Sequence, residues 1–138
     1  MNKLKIVFAG TPRFAESYLT SLIESKHDVV CVFTQPSKRS GRGLKFKHSP
    51  VRNTAEKNSI DIRQPEKITI KETDALTEIN PDIVIVVAYG LMLTNEFMSV
   101  PRFGCINVHP SLLPRWRGAA PIQRAIEAGD KLSGITIM

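Results

Sequence analysis

Ile83-Val84-Ile85-Val86-Val87-Ala88-Tyr89 is apolar at every position. A strand with one wet face alternates polar and apolar residues, so an uninterrupted run of this length predicts a central strand of a parallel sheet, covered on both faces. The segment before it reads as a helix: Thr69 with Glu72 fits a capping box ahead of Leu76 and Ile79, and Asn80-Pro81 stops it. Further out, β-rich runs at 4–9, 28–34, 60–63, 104–109 and 134–138 alternate with more helical patterns. Thr11 and Pro12 predict an N-cap and first helical residue, followed by Ala15, Leu19, Leu22 and Ile23 on one face. Ser49-Pro50 repeats that signal before a short helix near 51–58. A last helix is predicted over about 119–128, with Ile122, Ala125 and Ile126 inward and Gly129 past its end. Strand and helix in alternation predict one doubly wound, Rossmann-like α/β domain over 1–138, with a mostly parallel sheet.

Composition agrees with a globular chain: 42% of the 138 residues are apolar and 23% charged. The net charge of +6 is localised, because Lys38, Arg39, Arg42, Lys45, Lys47 and Arg52 share one acid-free stretch; without those six, 19 − 6 = 13 basic residues face 13 acidic ones. An excess confined to one loop points to a local anionic partner and away from general solubility tuning. Cys31 and Cys105 lie in apolar, strand-like runs without metal-ligand spacing, so both read as buried thiols. MNKLKIVFAG reads as a first strand and not as a signal peptide, and no 18-residue apolar stretch exists, so the cytoplasm is the expected compartment. His27 and His48 have no motif around them and read as surface or loop residues.

Two stretches fit no element: 35–48 (QPSKRSGRGLKFKH) and 110–118 (PSLLPRWRG). Each follows the carboxyl end of a predicted strand, the edge where open α/β sheets bind ligands. The first βα turn, AGTP at 9–12, lacks a dinucleotide fingerprint and reads as a structural turn permitted by Gly10 and capped by Thr11. In CINVHPSLLPRWRG (105–118), Asn107 and His109 are two apart on a strand and so project to one face. An amide that steadies an oxyanion beside an imidazole that moves a proton suits acyl or formyl transfer. The pair alone is weak evidence, since polar groups at a strand end are more often a satisfied turn. Pro110 and Pro114 restrict the following loop, whose Leu112 and Leu113 either hold a flat heterocycle or pack on the sheet. Tyr89, Gly90 and Leu91 end the central strand as a candidate second wall, Gly90 letting a ligand approach the backbone. Arg115, Trp116 and Arg117 have two open readings, nucleobase or phosphate contacts and a tryptophan-packed loop with solvated arginines. In the basic stretch, Ser40, Gly41 and Gly43 imply flexibility, and Phe46 is able to stack or anchor.

The string N-V-H-P-S-L-L-P at 107–114, then R-x-R-G-A-A-P-I at 115–122, resembles the signature of formyltransferases that use 10-formyltetrahydrofolate. With F-A-G-T-P (8–12), G-R-G-x-K (41–45) and P-D-I-V-I-V-V-A-Y-G-L (81–91), the chain resembles the methionyl-tRNA-acting branch of that family over essentially all 138 residues. The resemblance implies a formyltransferase-type fold, with Asn107 and His109 as two of three catalytic residues. Ser111, Leu112, Leu113 and Pro114 would border the folate site, with the pocket between the ends of strands 83–89 and 104–109. The third catalytic residue of the family, an Asp, falls beyond Met138; its role passes to no acid here, so these 138 residues are expected to be an incomplete, inactive catalytic domain lacking a C-terminal β-barrel domain. The 35–48 stretch matches an insertion that enters the acceptor end of tRNA, with Arg42 the leading contact and Lys38, Arg39 and Lys45 phosphate partners. Initiator methionyl-tRNA and 10-formyltetrahydrofolate are the implied substrates, with no metal, membrane or protein partner. Two competitors remain: a formyltransferase of the same fold acting on a small amine, such as glycinamide ribonucleotide or an amino-sugar nucleotide, and a nucleic-acid-binding module without chemistry.

Overall fold

Five consecutive residues of the first strand, Ile6 to Gly10, are buried, as expected of a strand covered on both faces. This computed structural model describes residues 2–138 except Gly41, Gly43 and Leu44, so the flexibility expected of Gly41 and Gly43 lies outside the described residues. The elements in order are β1 (Lys5–Gly10), α1 (Arg13–Ile23), β2 (Asp28–Phe33), β3 (Lys38–Ser40), β4 (Lys45–Lys47), α2 (Pro50–Lys57), β5 (Asp61–Arg63), α3 (Ile70–Ile79), β6 (Ile83–Val87), α4 (Asn95–Ser99), β7 (Cys105–His109), α5 (Pro121–Glu127) and β8 (Thr136–Ile137). Six strands form a mixed, mostly parallel sheet in the order β5-β2-β1-β6-β7-β8. β1 pairs in parallel with β2 on one side and β6 on the other, so the winding reverses at β1. At the far edge β8 runs antiparallel to β7. Two compact units divide the chain, Met1–Ile106 and Asn107–Met138. No described helix is long and apolar enough to cross a membrane.

In the first unit, Val7, Ala9, Phe33, Leu76, Val84 and Phe97 belong to one buried cluster. Phe33 and Phe97 meet edge to face at 5.5 Å and 85°, the arrangement that aromatic quadrupoles favour. Cys31 is buried there, and desolvation, with the charge of Asp61 second, pushes its thiol up to about 12.

Local signals place most helix starts. The Ser49 hydroxyl accepts from Arg52 N at 3.0 Å ahead of Pro50, and Glu72 accepts from Thr69 N at 2.9 Å and from the Thr69 hydroxyl. Asn80, left-handed at φ 51°, ends α3. Thr11 departs from the predicted N-cap: its hydroxyl donates to Tyr89 O at 2.8 Å and accepts from Gln35 N at 3.3 Å. It satisfies main-chain groups beyond the ends of β2 and β6 and leaves Pro12 at the cap position.

Three further departures have physical causes. The stretch left outside any element contains the hairpin β3–β4, whose alternating residues are cations and not the apolar side chains that mark a strand. Helix α4 has five residues, too few for a period, and is fixed by the buried Phe97 and the Thr94 cap. Helix α5 buries Pro121 and Ala125, whereas Ile122 and Ile126, expected inward, are 42% and 73% exposed. Both pairs are four apart, so the spacing fits either face and only the seating of the helix chooses between them.

Candidate active site

In the second unit the pleat of β7 turns Val108 into the interior at 5% exposure, while Asn107 and His109 on the opposite face are half-buried. Asn107 and His109 line one cavity of about 670 Å³, together with Leu113, Pro114, Arg117, Gly118 and Met138. The main chain of Asn107 is locked to Met138, donating at 2.7 Å and accepting at 3.0 Å. His109 Nε2 lies 3.0 Å from the carbonyl oxygen of Trp116. A carbonyl only accepts, so Nε2 carries the proton, and in the neutral ring Nδ1 carries the lone pair.

The two-proline loop is held from below. Ser111 is buried, and its hydroxyl donates to Arg115 O at 2.7 Å. The Thr136 hydroxyl on β8 donates to Ser111 O at 2.7 Å and accepts from Leu113 N at 3.1 Å. Leu113 and Pro114 thereby reach the Asn107–His109 cavity. Leu112 turns elsewhere: it lines a separate cavity of about 310 Å³ and packs on Gly134, where an added Cβ would lie 2.5 Å from Leu112 Cδ2.

Arg115 and Trp116 are occupied within the protein. Arg115 Nε and Nη2 donate to Asp130 at 2.9 and 2.7 Å, Trp116 Nε1 donates to the same carboxylate at 2.7 Å, and the Arg115 guanidinium lies 4.4 Å from the indole centroid. Hydrogen bonds from Arg115 and then from Trp116 hold the Asp130 carboxyl at about 2, below its ordinary 3.8. Arg117 is exposed and lines the larger cavity. The R-x-R-G string that contains Arg117 and Gly118 was a signal for both; Asp130 and Thr136 carry no motif.

Tyr89, Gly90 and Leu91 belong to the first unit, around Thr11 and Gln35. Tyr89 is buried, which raises its phenol above the ordinary value, as does the Glu72 charge to a lesser degree. Its hydroxyl has no hydrogen-bond partner among the described residues. Gly90 has φ 83°, and a Cβ there would lie 2.2 Å from Gln35 Nε2. Leu91 packs on the first unit's core.

The expected RNA contacts gather on the hairpin. Lys38 faces Lys47, Arg39 faces Phe46 and Ser40 faces Lys45; the Arg39 guanidinium lies 5.2 Å from the Phe46 centroid. Lys38, Arg39, Lys45 and Lys47 are exposed, as is Arg42 in the turn. Arg52 is spent differently, donating to Ser37 Oγ at 3.1 Å and contacting the half-buried His48. Lys38 and Lys47 also line a cavity of about 210 Å³ with Thr11, Gln35, His48 and Ser49. His27 is structural, its Nδ1 accepting from Leu4 N at 3.1 Å. Among the described residues no three His, Cys, Asp or Glu side chains cluster as a metal would need.

A family model described as formyl transferase matches residues 3–138. The chain belongs to the formyl transferase family. The chain is 55% identical over 136 residues to methionyl-tRNA formyltransferase of Pseudomonas fluorescens (strain SBW25), a match covering 98% of this chain and 43% of the relative. It therefore spans under half that relative's length. Among solved structures, phosphoribosylglycinamide formyltransferase from Anaplasma phagocytophilum superposes with a TM-score of 0.75 at 21% identity, covering 99% of this chain and 64% of the other. A formyltetrahydrofolate deformylase from Pseudomonas syringae pv. tomato str. DC3000 gives a TM-score of 0.69 at 19% identity, covering 99% and 45%. At those identities the likeness concerns the fold. The sheet with its helices is the formyltransferase type of α/β fold, as expected from the sequence.

Proposed function

We infer that this chain forms the catalytic region of an enzyme that moves a formyl group from 10-formyltetrahydrofolate to the α-amine of methionyl-tRNA for translation initiation in the cytoplasm. The observation that carries the reading is the shared cavity of Asn107 and His109, walled by a pinned apolar loop. Its volume of about 670 Å³ lies within the range of about 300–1,000 Å³ usual for small-molecule sites. Leu113, Pro114 and the side-chain-free Gly118 suit the flat faces of a pterin, and the two polar groups fix its orientation, so the residues fit the folate. Ser111 and Leu112 shape the loop from behind. When bound, 10-formyltetrahydrofolate supplies an activated formyl carbon.

The Asn107 amide donates toward the formyl oxygen as negative charge develops there, and His109 Nδ1 takes the proton lost by the attacking amine and returns it to the folate nitrogen released as the bond from that nitrogen to the formyl carbon breaks. The acceptor assignment is supported by the 55%-identical relative and by the exposed cations Lys38, Arg39, Arg42 and Lys45. On this reading a third catalytic residue, an acid, and a β-barrel domain lie outside these 138 residues. The 138 residues alone are then expected to bind a folate analogue but not to turn over.

A formylation assay tests the proposal, comparing this chain with one extended through the missing acid and barrel domain. Formyl-methionyl-tRNA is expected from the longer form alone. Preferential formylation of glycinamide ribonucleotide, or no calorimetric binding of a folate analogue, would refute it.

A further inference from the structure

Trp116 has φ 57°, a left-handed conformation that an L side chain keeps only when its surroundings hold it. Asp130 supplies the hold. Its carboxylate accepts from Arg115 Nε and Nη2 and from Trp116 Nε1, at 2.9, 2.7 and 2.7 Å, fixing the indole and the fork that stacks on it. The peptide carbonyl of the tryptophan so fixed accepts His109 Nε2–H at 3.0 Å. Asp130 and Trp116 line the smaller cavity and not the one shared by Asn107 and His109, so they reach the imidazole from behind.

We propose that Asp130 is a positioning residue, which by clamping Arg115 and Trp116 holds the Trp116 carbonyl where it keeps the His109 proton on Nε2 and the lone pair on Nδ1. Ser111 and Thr136 pin the same loop by separate bonds, so the turn survives without the carboxylate while its carbonyl loses aim. The tautomer assignment stands on geometry alone. Its catalytic consequence rests on the proposed formyl transfer.

The test is long-range ¹H–¹⁵N NMR of the ¹⁵N-histidine-labelled chain at neutral pH, which distinguishes protonated from unprotonated ring nitrogens. Wild type is expected to show a single Nε2–H form for His109. Asp130→Asn should give a mixture with an appreciable Nδ1–H population, and Asp130→Glu should restore the single form. Should Asp130→Asn not fold, Trp116→Phe removes one donor to the carboxylate, keeps the ring and should give a smaller shift of the same sign. Lys131→Gln, on the same small cavity but outside the clamp, should leave the signal unchanged. In the extended enzyme Asp130→Asn should lower kcat on the order of 10²-fold with little change in KM, as misplacement of a reacting group does. An unchanged Nε2–H form in folded Asp130→Asn overturns the proposal whatever the activity, whereas a tautomer shift in a chain that never transfers formyl upholds the positioning and removes only the proposed function.

Discussion

The hairpin makes a quantitative forecast about salt. Six basic residues occupy 38–52; Arg52 is half-buried and engaged with Ser37 and His48, and on the proposed function the exposed Lys38, Arg39, Arg42, Lys45 and Lys47 meet phosphates. Each neutralised phosphate of a single strand steepens the log–log salt dependence of affinity by about 0.7, so these five exposed cations set a ceiling near −3.5. Raising salt from about 50 to about 200 mM should then weaken methionyl-tRNA binding by at most on the order of 130-fold. Replacing Lys38 and Lys47 with Gln leaves three cations, a ceiling near −2.1 and a loss of about 20-fold over the same interval. Arg52→Gln should leave the slope untouched. Fluorescence anisotropy of labelled methionyl-tRNA at several KCl concentrations provides the slopes. A flat response in the wild type, or an Arg52→Gln effect as large as that of one lysine, would refute this division of charge.

Four other outcomes are expected. Tyr89→Phe removes a buried hydroxyl that lacks a partner among the described residues, so urea unfolding should show unchanged stability or a gain of up to about 1 kcal/mol; a clear loss would mean the hydroxyl is satisfied. Gly90→Ala puts a side chain on a residue at φ 83°, in the path of the Gln35 amide, and the backbone strain should destabilise by about 1–3 kcal/mol in the same assay. The folded-state pKa of Asp130 is depressed from 3.8 to about 2, so its stabilisation is complete above about pH 5 and fades as pH falls through 4 toward 2; the gap between wild type and Asp130→Asn in denaturant melts should close over that interval. In the extended enzyme, Asn107→Ala should lose about 2.7–4 kcal/mol of transition-state stabilisation, read as a 10²–10³-fold fall in kcat at near-constant KM.

Legibility followed the range of the interaction. The period of two along β7 was enough to place Asn107 and His109 on one face, and the Ser49 and Thr69 starts are written within four residues of sequence. Thr11 was misread because its hydroxyl serves Tyr89 O, 78 positions away, and a residue's preference for capping says nothing of a competing distant carbonyl. For α5, Ala125 is inward as expected, but Pro121 with Ala125 and Ile122 with Ile126 share one spacing, and hydrophobicity wrongly favoured the two isoleucines, which face solvent. Asp130 had no local signature: its partners lie 14 and 15 positions upstream, across a helix. The hairpin escaped because strand recognition rests on apolar alternation, whereas here the alternating residues are cations.

The opposed positions of Lys38 and Lys47 have a consequence for the hairpin's own stability. Like charges directly opposite one another weaken a two-stranded ribbon, by a few tenths of a kcal/mol up to about 1 kcal/mol per rung. On the proposed function, a polyanion laid along that rung offsets the repulsion and steadies the ribbon. Linkage makes the effect mutual: on that reading, a cross-strand staple that steadies the ribbon raises its affinity for the polyanion.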